Sequence, residues 1–108
     1  MATRINPGAM RERVTFERPF ETLAPSGAAS IQWIYEATLR AELVQEDTEA
    51  FLASVDRTED RKVFRCWATP FVTTDLRLTH DDRTYRIAKI VPVFPNGLEL
   101  HCVDGDGQ

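Results

Sequence analysis

Two cysteines and two histidines are the residues that could hold a metal ion or pair a nucleophile with a base: Cys66, His80, His101 and Cys102. They lack the CxxC and HxxxH spacings of a zinc site, and the adjacent His101 and Cys102 point to opposite faces of a strand. His80 falls in a predicted turn and His101 on the polar side of the last strand, so we expect both imidazoles to be exposed. The sequence therefore predicts no metal site, no cofactor and no catalytic nucleophile.

The remaining candidates for chemistry are a carboxylate pair, the glycines and the thiols. Asp81-Asp82 are adjacent acids, but a hairpin turn accounts for both. The five glycines are scattered and form no phosphate-binding loop. Both cysteines lie in strand-like runs, and we expect them to be buried and reduced rather than joined in a disulfide. We therefore expect a structural or binding protein, not an enzyme.

Most of the net charge lies in one segment. Residues 46–62 contain six acids and three bases, whereas the whole chain has a formal charge of −4. A chain whose main task is to neutralise phosphates usually shows a basic patch instead. The segment also holds three apolar residues spaced as on one face of a short helix. Its candidate functional residues are Glu46, Asp47, Glu49, Phe51, Leu52, Val55, Asp56, Glu59 and Asp60.

Alternation of apolar and polar residues predicts β-strands, and it is clearest from Leu76 to Ile90. There Leu78, Tyr85 and Ile87 share one face of a hairpin. A two-stranded hairpin is at best marginally stable alone in water, so other strands must cover that face. Further strands are predicted at residues 11–18, 31–44, 63–68 and 98–102, with a loop at 19–30.

The expected fold is all-β, a small antiparallel β-barrel or sandwich of about six strands with a long loop or short helix between strands 2 and 3. We expect one domain over residues 11–103, a flexible arm at 1–10 and a mobile tail at 104–108. No apolar run approaches the roughly 20 residues of a membrane span, and the first ten residues lack the apolar segment of a signal peptide. The predicted core residues are Val14, Phe16, Trp33, Leu39, Phe64, Leu78, Tyr85, Ile87 and Leu100.

Aromatic and basic residues are interleaved at Phe64-Arg65-Cys66-Trp67 and at Tyr85-Arg86. Such a surface can stack bases in an oligonucleotide-binding barrel, but the same alternation is normal in a half-buried strand. If Phe64 and Cys66 face the core, Trp67 faces outward, where a tryptophan suits a contact between subunits. The candidates for such a contact are Trp67, Arg40 and Arg65.

Several stretches together resemble one protein family. They are MRERVTFERP at residues 10–19, ATLRAELV at 37–44, FRCWATPFVTTDLRLTHDDRTYRIAKI at 64–90 and LELHCV at 98–103. Over residues 8–103 the chain is similar to the head–tail joining proteins of long-tailed bacteriophages, also called head-completion or stopper proteins. The chain departs from the family at Arg40, where members often carry a second aromatic residue.

The resemblance implies a virion protein, assembled in the host cytoplasm, with no membrane association. It implies a homo-oligomeric ring of twelve copies, with portal and adaptor proteins on the head side and a tail terminator or tail protein on the other. DNA would pass through the ring without sequence-specific binding. The loop at residues 46–62 would project into this channel and help to retain the packaged DNA. A tail-terminator ring protein and a small oligonucleotide-binding β-barrel are the alternatives.

Overall fold

A computed structural model describes residues 4–49 and 59–104, and most of them are in β-strands. Alternating apolar residues bury one face of each strand in the central sheet, as the sequence predicts. The described elements are a single turn of 3₁₀ helix (Pro7–Ala9) and the strands β1 (Glu12–Leu23), β2 (Ala29–Glu49), β3 (Glu59–Trp67), β4 (Arg77–His80), β5 (Arg83–Val93) and β6 (Gly97–Asp104).

The six described strands form one antiparallel sheet that closes on itself in the order β1-β2-β3-β6-β5-β4. Three residue pairs close it, joining Thr15–Glu17 of β1 to Arg77–Thr79 of β4. Asp81 and Asp82 form a two-residue turn between β4 and β5, and their φ angles of 53° and 66° are those that such a tight hairpin turn requires. The prediction of a small antiparallel all-β fold of about six strands is confirmed, and of the two predicted forms, barrel and sandwich, the sheet has that of the barrel.

β2 takes part in two ladders along its length. Residues 29–41 pair with β1, and the rest of the strand pairs with β3. β1 runs on to Leu23, although its ladder with β4 ends at Glu17. Residues 18–23 and 29–34 therefore form a two-stranded extension of the barrel, which we call the β1–β2 ribbon.

The segment at residues 46–62 begins and ends as strand rather than as loop or helix. Residues 46–49 of β2 pair with 59–62 of β3, and we call these paired residues the acidic ribbon. The ladder extends a hairpin that the sheet already contains, which is why strand replaces the predicted loop at both ends of the segment. The apolar residues Phe51, Leu52 and Val55, together with Asp56, lie outside the described residues.

β1 continues through Pro19, although the sequence predicts that the strand ends there. Proline has no N–H to give to a ladder, but here β1 has only one neighbouring strand, because pairing with β4 ends at Glu17. The predicted loop at residues 19–30 is therefore wrong. The connection is confined to residues 24–28, where the Ala24 amide donates to the Ala28 carbonyl at 2.8 Å.

A β-bulge in β2 changes the side on which Trp33 lies. The register between β1 and β2 shifts after Phe16, which faces Ala37, so that Glu36 is an extra residue. One extra residue moves every side chain beyond it to the other face of the sheet. Trp33, predicted in the core, is therefore half-buried on the outer face, where Arg77 Cζ lies 4.5 Å from the centre of its ring.

The interior of the closed sheet holds one main apolar cluster. Leu39 is only partly buried and packs against its edge, and Phe71 meets Phe16 edge to face at 6.0 Å between ring centres. The other predicted core residues lie inside the cluster, fully or almost fully buried: Val14, Phe16, Phe64, Leu78, Tyr85, Ile87 and Leu100.

The N-terminal segment, predicted as a flexible arm, packs against the barrel over residues 4–10. The Ile5 amide donates to the Phe94 carbonyl at 3.0 Å. Ile5 and Met10 are buried with Val93 in a second, smaller apolar cluster. A Cβ at Gly97 would overlap the Ile5 side chain, so glycine makes this close packing possible. At the other terminus β6 ends at Asp104, and the predicted tail beyond it lies outside the described residues.

Both cysteines are buried free thiols, which leads to a prediction about alkaline stability. Burial raises the pKa of Cys66 from its ordinary 9.0 to about 11, and burial together with repulsion from Cys66 raises the pKa of Cys102 to about 12. Above pH 9 the unfolded chain therefore releases protons that the folded chain keeps. We expect stability to be unaffected by the thiols below pH 9 and to fall by up to about 1.4 kcal/mol per thiol and pH unit above it.

Chemical denaturation between pH 7 and pH 11 measures this loss. The control is the double variant Cys66→Ala, Cys102→Ala, which retains the tyrosines and lysines that also titrate at high pH. Its free energy of unfolding should fall less steeply with pH than that of the parent. Equal slopes would show that the thiols do not contribute.

Candidate assembly surfaces

His80 is buried, contrary to the prediction of an exposed turn residue, and only 3% of it is accessible. It is the last residue of β4, and alternation along that strand turns it inward like Leu78. Its Nδ1 lies 2.9 Å from Lys62 Nζ, and its Nε2 lies 2.8 Å from Glu12 Oε1. The ring also meets Phe64 edge to face at 5.0 Å. The imidazole thus links three strands inside one end of the barrel.

The polar contacts of this buried network run in one direction, from Lys62 through His80 to Glu12. A lysine ammonium can only donate, so His80 Nδ1 accepts and Nε2–H donates to the Glu12 carboxylate. Lys62 is 6% exposed, and its ammonium lies 5.2 Å from the centre of the Tyr85 ring. Opposite charges at the two ends of one imidazole compensate each other. The network therefore stabilises the junction of β1, β3 and β4.

His101 and Arg65 share one carboxylate on the outside of the barrel. Glu99 Oε1 lies 3.0 Å from His101 Nε2, and its Oε2 accepts a hydrogen bond from Arg65 Nε at 2.9 Å. Burial alone would raise the pKa of Glu99, but these hydrogen bonds and the positive charge of Arg65 outweigh it and hold the pKa below its ordinary value. Arg65, one of the three candidates for a subunit contact, is thus engaged within its own chain.

The four residues first considered for chemistry lie in separate surroundings. Cys66 and Cys102 are inside the barrel, His80 belongs to the buried network, and His101 binds Glu99 on the outside. No three His, Cys, Asp or Glu side chains in residues 4–49 and 59–104 are grouped as a metal ion would need. Within the same ranges there is no helix with the length and apolarity needed to cross a bilayer.

An open groove of about 300 Å³ lies where β2 and β3 diverge. Their ladder begins at the pair Glu42 and Arg65, so Trp67 at the end of β3 has no partner on β2 and is 43% exposed. The structure thus brings Trp67 together with Arg40, another candidate for a subunit contact. The groove is lined by Pro7, Met10, Leu39, Arg40, Trp67 and Thr69.

Two arginines face each other beside this groove. Arg13 of β1 and Arg40 of β2 are direct cross-strand partners, and both are exposed. Like charges placed directly opposite each other destabilise an antiparallel pair. Within the described part of the chain, neither arginine has a hydrogen bond or an ion pair. We call Arg13, Arg40 and Trp67 the arginine–tryptophan patch, and it is suited to an acidic and apolar partner.

The β1–β2 ribbon carries most of the exposed apolar surface among the described residues. Leu23 is 70% exposed and Ile31 is 57% exposed, and both lie on one face of the ribbon with Glu21, the cross-strand partner of Ile31. Phe20 on the opposite face and Tyr35 at the base are exposed as well. Sequence reasoning missed this surface because PFETLAPSGAAS has the composition of a loop. No alternation of apolar and polar residues marks it, because Phe20 and Leu23 are three residues apart and lie on opposite faces.

The register of the acidic ribbon contains one pair of like charge and two pairs of opposite charge. Glu49 of β2 faces Glu59 of β3, whereas Asp47 faces Arg61 and Glu46 faces Lys62. The ladder between β3 and β6 ends at Arg61. Among the described residues, the outermost pairs of the ribbon are therefore supported only by each other, at the end of the longest described strand.

Comparison with solved structures shows the fold in two other proteins. A chain in the virion of a native gene transfer agent particle matches with a TM-score of 0.66 and 14% identity, over 87% of this chain and 93% of that one. A protein of Shigella flexneri 2a, solved in solution, matches with a TM-score of 0.65 and 18% identity, over 96% of this chain and 100% of that one. At these identities the likeness shows a shared fold.

The sequence itself was compared with curated proteins and with family models. No curated protein matches the chain. The model of the phage head completion protein matches residues 5–105, which include every described strand. The resemblance found in the sequence is thereby confirmed, and the chain belongs to the phage head completion protein family.

Proposed function

We propose that this protein forms a ring that completes the portal end of a phage head, joins the head to the tail and retains the packaged DNA. Its family makes it a structural protein of the phage head that associates with other virion proteins. In the proposed ring of twelve copies, portal and adaptor proteins lie on the head side and a tail terminator or tail protein on the other. The observation that carries this role is the acidic ribbon.

The outer half of the acidic ribbon, residues 48–49 and 59–60, reaches beyond the barrel without support from a third described strand. The ladder of β2 with β1 ends at Ala41, and the ladder of β3 with β6 ends at Arg61. An extension of this kind in a compact domain is usually functional. Copies arranged around a ring axis can direct their ribbons, and the residues between them, toward a common centre.

The charge of the ribbon suits a passage for DNA. A basic lining would bind the phosphates tightly and in a salt-dependent manner, whereas an acidic lining repels them and lets the duplex slide. The apolar residues Phe51, Leu52 and Val55 supply a second property, since they can pack between copies when the passage is shut. In this proposal the apolar residues close the channel and the acids line it when DNA passes.

The test shortens the acidic ribbon without touching the barrel. Residues 48–60 are replaced by Asn-Gly, which joins the cross-strand partners Asp47 and Arg61 through a two-residue turn suited to an antiparallel pair. Lys62 stays in place, because the buried network with His80 requires it. We expect the variant to keep its melting temperature and to join the heads, while filled heads lose DNA. The measurement is the amount of nuclease-protected DNA in purified heads.

A full-length variant separates charge from closure. Glu49→Gln, Glu59→Gln and Asp60→Asn remove acids but leave the apolar residues, so heads carrying this variant should retain DNA. If heads that carry the shortened chain stay sealed, the ribbon does not retain DNA. Loss of stability in the shortened chain, with sealed heads, would instead make the segment a cap on the barrel.

A further inference from the structure

The β1–β2 ribbon presents apolar side chains that no other described part of the chain covers. It consists of two strands with a single ladder between them, because β4 pairs with β1 only as far as Glu17 and β3 pairs with β2 only from Glu42 onward. Leu23 and Ile31 are more than half exposed. Exposed apolar surface concentrated on one projecting element marks an interaction site. The question is which partner it fits.

Charge points to a second copy of the same chain. Glu21 lies on the face of the ribbon with Leu23 and Ile31 and has no ion pair among the residues that the structure describes. The arginine–tryptophan patch has the complementary character, with two arginines in need of an acid beside an exposed indole and an open groove. The ribbon supplies an acid and apolar side chains, and the patch supplies two arginines and a groove that can receive them.

The two surfaces cannot meet within one chain. The partner of Glu21 on β2 is Ile31, and the partner of Arg13 is Arg40, nine residues further along the same strand. At about 3.3 Å per residue this places them roughly 30 Å apart. Two complementary surfaces at different places on one subunit are the requirement for a heterologous contact, in which each copy binds the next and the series can close into a ring.

We propose that the β1–β2 ribbon of one subunit packs Leu23 and Ile31 into the groove beside Trp67 of a second copy, with Glu21 placed against Arg13 and Arg40 of that copy. The inference rests on the proposed ring and names the contact that builds it. It also explains the facing arginines, whose repulsion within the chain is offset when an acid of the neighbour lies against them.

The experiment reverses the charges on one side, then on both. Glu21→Arg alone and the pair Arg13→Glu, Arg40→Glu alone should each lower self-association of the purified chain about tenfold. Combining all three changes in one chain restores opposite charges at every contact and should recover most of the loss. Sedimentation velocity over a concentration series measures self-association, and the copies bound per head measure ring formation. Lys89→Glu, an exposed charge on β5, is the control and should change neither.

The apolar part of the contact has its own variant. Leu23→Ser with Ile31→Ser should lower self-association at least as much as Glu21→Arg, while the melting temperature stays near that of the parent because both side chains lie outside the core. The proposal would be overturned if the Leu23→Ser, Ile31→Ser variant or the Glu21→Arg variant associated as strongly as the parent. It would also be overturned if the variant with all three charge reversals did not recover association. If the parent associates in solution but does not bind heads, the proposed function fails and the contact stands.

Discussion

Tyr85→Ala is expected to lower the free energy of unfolding by about 3–5 kcal/mol, the range for removing a large buried aromatic side chain. Tyr85 is fully buried at the centre of the main cluster, where it faces Leu78 across the β4–β5 ladder. Removing the ring takes apolar contacts from both strands and removes the aromatic face near Lys62, whose ammonium lies 5.2 Å from the ring centre. The closed sheet cannot collapse around the space without breaking its ladders. Urea denaturation monitored by tryptophan fluorescence measures the loss.

Tyr85→Phe is the matched control. The hydroxyl oxygen of Tyr85 is buried, and it has no hydrogen-bond partner among the described residues. Its removal should therefore leave the free energy of unfolding within about 1 kcal/mol of the parent, or raise it. Should the alanine variant prove as stable as the phenylalanine variant, the ring does not hold the core together.

The second large effect is expected at the buried network. His80→Leu should cost about 3 kcal/mol, because Lys62 loses the acceptor that connects it to Glu12 while its ammonium stays in the barrel. Leucine fills a similar volume, so most of the cost comes from the charge and not from an empty space. The contact with Phe64 changes little, since leucine is also apolar.

A double-mutant cycle isolates this electrostatic cost. Lys62→Met removes the ammonium, and the double variant Lys62→Met, His80→Leu places two apolar side chains next to each other. The double variant should be more stable than the sum of the single losses predicts, by about 1–2 kcal/mol. Strictly additive losses would mean that the two side chains do not depend on each other, and the network would then be unimportant for stability.

The hairpin at Leu76–Ile87 was predictable because its apolar residues alternate without interruption, and the same alternation identified Val14, Phe16 and Leu100 as core. The error at Trp33 has a specific cause. A single extra residue, Glu36, reverses the faces of β2, and no local feature of the sequence signals it. The alternation of side chains between the two faces can be predicted from the sequence of one strand. The position of a bulge also depends on how that strand pairs with its neighbour.

The inward position of His80 was missed because the sequence pattern places His80 within the turn. Asp81 and Asp82 suffice to turn the chain, each at positive φ, a conformation that aspartate tolerates better than most residues. His80 is therefore the last residue of β4, and its side chain points inward to Lys62 of β3. The arginine pair was hidden for a similar reason, since only the register brings Arg13 opposite Arg40.

The short ladder between β1 and β4 bears on how fast the chain folds. Thr15 is joined to Thr79, a residue sixty-four positions later, so the barrel closes only after nearly the whole domain is available. Small proteins dominated by such distant pairs fold in milliseconds to seconds, and an uncovered strand edge invites aggregation during that time. Of the described strands, β1 is separated from its second neighbour by the largest number of residues. Its edge carries charged residues and a proline, which are Arg13, Glu17, Arg18 and Pro19. These residues disfavour pairing of the β1 edge with another chain before β4 has paired with it.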